Sequence, residues 1–592
     1  MKYQTKDTEY REAVIQDFGG VDRASALCGG STSFELRNFR RMKDGSLKRR
    51  GGLVPWARFE QDIRGAISIL RNGERETYVV AGQTVYVCSE PSAEAGAAIP
   101  IGQLSGTSGQ VSFLEYDGQL ILLDGEQFFS LTKTGMFAME GYIPLYGDNW
   151  EETAIEGRLV NERPNLLSRR LRIKVRMQKD GYYIYLAPLH PVSVDALVIN
   201  GEIYRKTVRL NTYENRVETG ESIPMGAQVE VYLTMPEDFA PLQSDLKCAR
   251  RACSLGRAED ARILFYDLPG KSEVRISRAI PKAEQQTVRA VMPNTCMIYV
   301  TPEDEISIGD GIHAVMGGCR HFDRSLIFTA KGSWMADGQV NDDGFLHLIP
   351  VNSTMGCSHS GSVAVVGNRP FTVFSSGLLC WNSDTDERNE CNAEVVSDAV
   401  YPLWEEKFES RMALWANTKQ NEIWCYIPGT DGRVWVYQIE HGSWTSFVGF
   451  IPDLVIDLEG APGIIMGRML YQMKEDAWED TIVTEELGES ESRAIVAEYQ
   501  SRFLDFGRAD RAKRLGRASF TGIVPKQGVT MVLQRVDGHQ QRLYFAGNDE
   551  QICQAEGRVN IGRFRFVRVG VTCDAPGLLH LYRVCLKMRA NE

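Results

Sequence analysis

The sequence predicts an all-β protein, a degenerate β-propeller with an inserted β-sandwich domain and a C-terminal β-sandwich. Three observations lead there. Gly (55 residues) and Pro (22) punctuate short runs rich in Val, Ile, Tyr, Phe and Trp. Stretches with a 3.6-residue apolar period are rare. The runs recur as strand, Gly- or Asn-centred turn and strand, the unit of an antiparallel meander. The 592 residues are 43% apolar, enough for two to four domains or one large repetitive β architecture.

Taken in chain order, residues 1–62 read as an N-terminal arm, in which FELRNFR and SLKRRGGL flank a hairpin turn at Asp44-Gly45. Residues 63–158 hold the first blades, with TYVVAGQTVYV (77–87) and GQLILLDG (118–125). Residues 159–236 read as a self-contained insert. RLRIKVRM (170–177) alternates, DGYYIYLAP (180–188) follows a turn, and Asn200-Gly201 marks a hairpin. In AQVEVYLTM (227–235), Val229, Val231 and Leu233 share one face and Glu230, Tyr232 and Thr234 the other, which predicts a half-exposed strand.

The remaining blades span 237–480, with ARILFYD (261–267), SLIFTAKGSWMADG (325–338), GSVAVVGNRPFTVFSSGLLCW (361–381) and GRVWVYQIEHGSWTSF (432–447). The unbroken apolar run 434–437 predicts a strand covered on both faces. About seven such units fit radial stacking of small sheets; periodicity alone also permits two β-sandwiches. An acidic linker, TEELGESES, opens the C-terminal β-domain (481–592), whose strands are rich in Val and Arg.

Composition excludes several functions. A net charge of −12 argues against a surface that grips nucleic acid everywhere. Thirteen cysteines, an odd number with no Cys-x-x-Cys, exclude a disulfide framework and predict buried reduced thiols. No apolar run approaches the roughly 18 residues of a membrane helix, and MKYQTKDTEY is no signal peptide, so the chain reads as soluble and unexported. Phosphate-binding loops fail, since Phe265 stands where the leading glycine of a P-loop ending in Gly270-Lys271-Ser272 belongs. No Gly-x-Ser-x-Gly elbow or His-Glu-x-x-His helix is present, and no catalytic or cofactor-binding residue is assigned.

Two Cys-x-His pairs, Cys319/His321 and Cys357/His359, would each aim both side chains at one strand face, where four soft ligands can surround zinc. A tightly packed strand with a hydrogen-bonded histidine gives the same pattern, and no metal is assigned. SDTDERNE (383–390) resembles half a calcium loop through Asp384, Asp386 and Glu390, but Asn389 stands where an EF-hand needs Gly. Two basic clusters break the acidic average: Lys43, Lys48, Arg49 and Arg50 in the arm, and Arg508, Arg511, Lys513, Arg514 and Arg517 after Asp505-Phe506-Gly507. Such runs contact phosphate or an acidic partner, or are hydrated faces.

The opening Asp17-Phe18-Gly19-Gly20, the stretch S-x-x-L-x-N-F-R (33–40) and GSLKRRGGL (45–53) resemble the start of tail nozzle proteins, also called tail hub or tail tubular proteins, of short-tailed bacteriophages. RPNLLSRRLRI (163–173), Asp180-Gly181-Tyr182 and the strand at 192–201 are similar to that family's insert domain. IGDGIHAVMG (308–317), SLIFTAKGSW (325–334), NSTMGCSHSGSVAVV (352–366) and SSGLLCW (375–381) resemble successive blade signatures in the same order, and FLDFGRADRAKRLGRASFTG (503–522) the opening of its C-terminal domain.

The resemblance implies a structural virion protein without catalysis or cofactor. It would form a ring homo-oligomer, six-fold by analogy, below the head–tail connector. The chain would fold in the host cytoplasm, reside in the virion tail, contact the head–tail adaptor and tail fibre or tip proteins, and let double-stranded genomic DNA pass during ejection. The arm cluster is then expected to contact the connector or the neighbouring subunit, so that Ala at Lys48, Arg49 and Arg50 would impair attachment to heads while leaving the monomer folded. The 508–517 cluster is expected to face DNA or an outer partner. An acidic channel lining would let DNA slide. The alternatives are a β-propeller glycan depolymerase or glycosidase, and a cellular β-propeller interaction scaffold.

Overall fold

The computed structural model describes residues 2–4, 10–24, 32–88, 98–150, 163–239, 245–256, 261–321, 324–340, 346–382, 392–401, 411–430, 432–483, 490–549 and 551–589. The calcium-loop segment 383–390 and most of the acidic linker lie outside them. The chain is all-β, a degenerate propeller with an inserted and a C-terminal β-sandwich, and divides into two compact units: Met1–Gln103 with Met355–Glu592, and Leu104–Thr354.

Seven antiparallel blades of four strands are described. In the first unit, blade 1 is Ile63–Arg71, Glu74–Ala81, Thr84–Cys88 and Ile99–Gln103. Blade 5 is Val363–Val366, Arg369–Phe374, Gly377–Trp381 and Ala393–Val395, and blade 6 is Ala413–Asn417, Glu422–Tyr426, Val434–Gln438 and Ser443–Phe447. Blade 7 takes Leu454–Leu458, Ala461–Met466 and Met469–Lys474 from late in the chain and is completed by Gly52–Arg58 from its start. Val434–Gln438 is buried along its whole length, as a strand between stacked sheets must be. Trp381, Trp424 and Trp444 fill these blades, and each buried indole donates its N–H, to Thr372 Oγ1 (3.0 Å), Glu422 Oε2 (3.1 Å) and the Val396 carbonyl (2.7 Å) respectively.

In the second unit, blade 2 is Ser112–Tyr116, Gln119–Leu123, Phe128–Thr132 and Gly135–Ala138. Blade 3 is Arg251–Leu255, Arg262–Tyr266, Val274–Ile276 and Glu305–Ile306, and blade 4 is Val315–His321, Arg324–Thr329, Ser333–Val340 and Leu346–Asn352. The insert between blades 2 and 3 is a two-layer sandwich. Its five-stranded sheet runs Leu145–Trp150, Arg170–Arg176, Gln228–Thr234, Ser193–Ile199, Glu202–Ile203, against a three-stranded sheet of Gly181–Tyr185, Arg216–Ile223 and Val208–Asn211. Ile173, Ile184, Val217, Val229, Val231 and Leu233 pack between the layers. Asn200 and Gly201 both adopt positive φ in the predicted hairpin.

The strand Gln228–Thr234 departs from its half-exposed expectation. Tyr232, on the outer face, is fully buried beside Tyr142, Ile143 and Val288, the last from the helix Lys282–Val291 that covers this face. A residue from a blade-3 connection more than fifty positions away supplies that cover, so alternation within the strand does not disclose it.

The expected hairpin around Asp44-Gly45 is present, but the described residues of 1–62 pair with distant strands rather than standing apart as an arm. Tyr10–Ile15 pairs with the C-terminal strand His580–Arg589, and the hairpin Phe39–Arg41/Leu47–Arg49 joins the same strand. Ser33–Arg37 lies between Ser443–Phe447 of blade 6 and Ala497–Ser501. The result is one nine-stranded sheet running from blade 6 into the C-terminal sandwich through Val567–Cys573, Val529–Arg535 and Gln540–Phe545. The sandwich's other sheet holds His580–Arg589, Leu515–Ile523 and Cys553–Arg558. Leu36, Tyr499, Phe520, Met531, Val571 and Leu586 share one core cluster with Phe371 and Tyr437 of blades 5 and 6.

Candidate functional site

The N-terminal basic cluster splits in two. Arg50 is 1% exposed and bidentate with Asp480 (2.8 and 2.6 Å). It also donates to Asn38 Oδ1 (3.0 Å) and to the Gly51 and Val448 carbonyls (2.8 and 2.9 Å). Arg49, equally buried, donates to the carbonyls of Ile495 (3.2 Å), Ala575 (2.7 Å) and Gly577, and burial lowers its pKa from the ordinary guanidinium value. Both are internal cross-links between the hairpin, blade 7 and the C-terminal sandwich, which corrects their assignment as partner contacts. Lys43 and Lys48 keep to the surface, within 3.3 Å of Glu440 and 3.7 Å of Glu475.

A polar knot beside them escaped the sequence reading. Ser46 Oγ sits 2.5 Å from Asp44 Oδ1 and 2.7 Å from His580 Nε2. Hydrogen bonds from Ser46 hold the Asp44 pKa below the usual carboxylate value, while burial holds that of His580 below 6.5, against an opposing pull from Asp44. Asp44 and Ser46 were visible only as turn residues, because their partner lies more than five hundred positions away.

The C-terminal cluster is reordered by Lys513. Its side chain is buried, and Nζ donates to the carbonyls of Arg508, Arg511 (3.0 Å) and Arg565 (3.2 Å), so it cannot reach a partner, contrary to expectation. Backbone bonds between Lys513 and Phe564 (2.7 and 3.0 Å) tie the 508–514 loop to the 562–566 loop. Arg508, Arg511, Arg514 and Arg517 are exposed, as are Arg558, Arg563 and Arg565, three arginines that the sequence reading did not single out. Residues 490–592 hold 17 Lys+Arg against 10 Asp+Glu, a local reversal of the chain's −12.

Cys319 and His321 are buried on Val315–His321. Cys357 and His359 lie in a loop rather than on a strand, the Cys357 thiol donating to the His359 carbonyl (3.1 Å). Among the described residues no group of three or more His, Cys, Asp and Glu is placed to hold a metal ion. The described cysteines are free thiols, and burial pushes Cys380 up to about 11. The insert presents Tyr182, Tyr183, Tyr185 and Tyr213 to solvent, with Arg216 3.9 Å over the Tyr183 ring. Such Tyr and Arg surfaces are common at contact sites.

Fold and surfaces together define a propeller-based protein whose distinctive chemistry is charge and packing. No protein-family description matches the chain, nor does any curated protein. Similar solved structures include a chain of the mitotic checkpoint complex (10% identity, TM-score 0.30, 72% of this chain and 95% of that one) and Saccharomyces cerevisiae Sqt1 (9%, 0.32, 72% and 100%). An exo-β-1,3-galactanase from Phanerochaete chrysosporium also matches (6%, 0.21, 91% and 100%).

Proposed function

We propose that the chain is a structural virion protein, the nozzle or hub ring of a short phage tail, through which double-stranded DNA leaves. One observation supports this reading above the rest: the stretches that resemble nozzle proteins are the seam of this molecule. Phe18 is fully buried, edge-on to Tyr499 at 5.0 Å, and donates its backbone N–H to the Gly45 carbonyl at 2.9 Å. A Cβ on Gly20 would meet the Trp444 nitrogen at 2.6 Å, and one on Gly51 or Gly52 the Lys474 or Glu479 carbonyl at 2.2 or 2.0 Å. Asn38, Arg49 and Arg50 complete the seam. These residues join blade 6 to the C-terminal sandwich through one continuous sheet and pack the Gly52–Arg58 strand of blade 7 closely beside it, as a part that bears the load of ejection requires.

The test is composition of purified phage particles, freed of soluble lysate. The chain is expected as a stoichiometric component retained through washing. Its absence from particles sinks the proposal, and release of reducing sugar from host envelope by the purified chain would select the glycosidase instead.

A further inference from the structure

We propose that the arginines gathered around Lys513 form a contact site for the phosphate backbone of double-stranded DNA. The choice of DNA as partner rests on the conduit reading; the site itself rests on geometry. The buried Lys513 ammonium draws the carbonyls of Arg508, Arg511 and Arg565 to one point, which fixes the backbone of all three while their side chains stand in solvent. The loop is stiffened further by Phe506, which takes φ 54° and is buried edge-on to Phe564 at 6.2 Å.

Beside this focus Arg517 and Arg558 are direct cross-strand partners. Like charges in that position repel, and here only Glu556 answers them, 3.3 Å from Arg517. Asp510 stands 3.8 Å from Arg511, and no ion pair engages Arg508, Arg558 or Arg565 among the described residues. Of these five guanidiniums only Arg511 and Arg517 have a carboxylate within ion-pair distance among the described residues, an arrangement that an external polyanion relieves.

Three features favour DNA over an acidic protein. The exposed cations are all arginine, whose planar fork matches phosphate oxygens and loses little freedom on binding a stiff polymer. No large apolar side chain is exposed in residues 505–517 or 558–566, so the apolar anchors that stable protein interfaces use are missing. The patch is also local in an acidic chain, which gives attachment at one place without retention along the whole path.

The experiment measures anisotropy of a short fluorescein-labelled duplex with the full chain between about 50 and 200 mM salt, where each phosphate contact contributes about −0.9 to the slope of log K against log salt. Wild type is expected to bind with a slope near −4, and R508Q/R511Q/R558Q/R565Q to lose at least about tenfold in affinity at the lowest salt with its thermal midpoint unchanged. K43Q/K48Q should bind as wild type. If the quadruple variant does not fold, R558Q and R565Q singly decide, each lowering the slope by about 0.9.

Absence of binding by wild type at low salt, equal binding by wild type and the arginine variants, or capture of polyglutamate but not duplex each overturns the proposal. Particle composition is independent of this titration. A chain that builds tails yet ignores duplex loses only this site, and one that binds duplex but is absent from particles loses only the nozzle reading.

Discussion

At the residue scale, the arginine pair Arg49 and Arg50 shows what a charge run conceals. Removing one partner of a buried, bidentate pair leaves an uncompensated charge inside, which costs about 3–5 kcal/mol, whereas exposed pairs such as Lys43 with Glu440 contribute at most about 1 kcal/mol. Arg50→Met is therefore expected to lower unfolding stability in urea by several kcal/mol. Lys43→Ala and Lys48→Ala should stay within about 0.5 kcal/mol of wild type, and equal effects from all three would contradict the buried pair. His580 gives a second prediction. Its folded pKa lies below 6.5, so the unfolded chain binds more protons as pH falls, and stability present above that value is lost beneath it. The thermal midpoint should drop between about pH 7.5 and 5.5, and less steeply in His580→Gln; identical pH profiles would refute the role. None of this was legible in the sequence. Arg50 and Asp480 lie 430 positions apart, and a buried Arg beside surface Lys reads as one basic patch.

At the scale of elements, period-two alternation and turn residues disclosed most strands. Val434–Gln438 and the Asn200-Gly201 hairpin fell where local chemistry placed them, since both depend on neighbours within a few residues. The partnerships of the first 58 residues did not, because Ser33–Arg37 and Gly52–Arg58 pair with strands roughly four hundred positions later, and nothing in a strand's own pattern names its neighbour. Gly52, at the start of the strand that completes blade 7, carries no side chain where the Glu479 carbonyl approaches it from outside the blade. Gly52→Ala is expected to destabilise the first unit by about 1–3 kcal/mol through overpacking, measured as a fall in its unfolding midpoint. Gly106→Ala, in the second unit and open on all sides but for the tip of Glu126 at 3.5 Å, should be nearly neutral. An undiminished midpoint in Gly52→Ala would mean that the Glu479 carbonyl does not pack against Gly52.

At the scale of the whole molecule, an acidic chain whose C-terminal residues 490–592 reverse that charge fits the proposed conduit role. On the proposed reading it would repel DNA along most of its surface and hold it at one place. The class of fold was legible from turn spacing, while which side chains stay exposed was not, because exposure is decided by distant cover, as Tyr232 and Lys513 show in opposite settings. The account stands or falls on imaging the tails of intact particles at a resolution that traces strands. It predicts copies of this chain side by side in a closed six-membered ring under the connector, about six times 66.4 kDa, around a channel lined mainly by carboxylates. A tail built without the chain, or a channel walled chiefly by Lys and Arg, would contradict it.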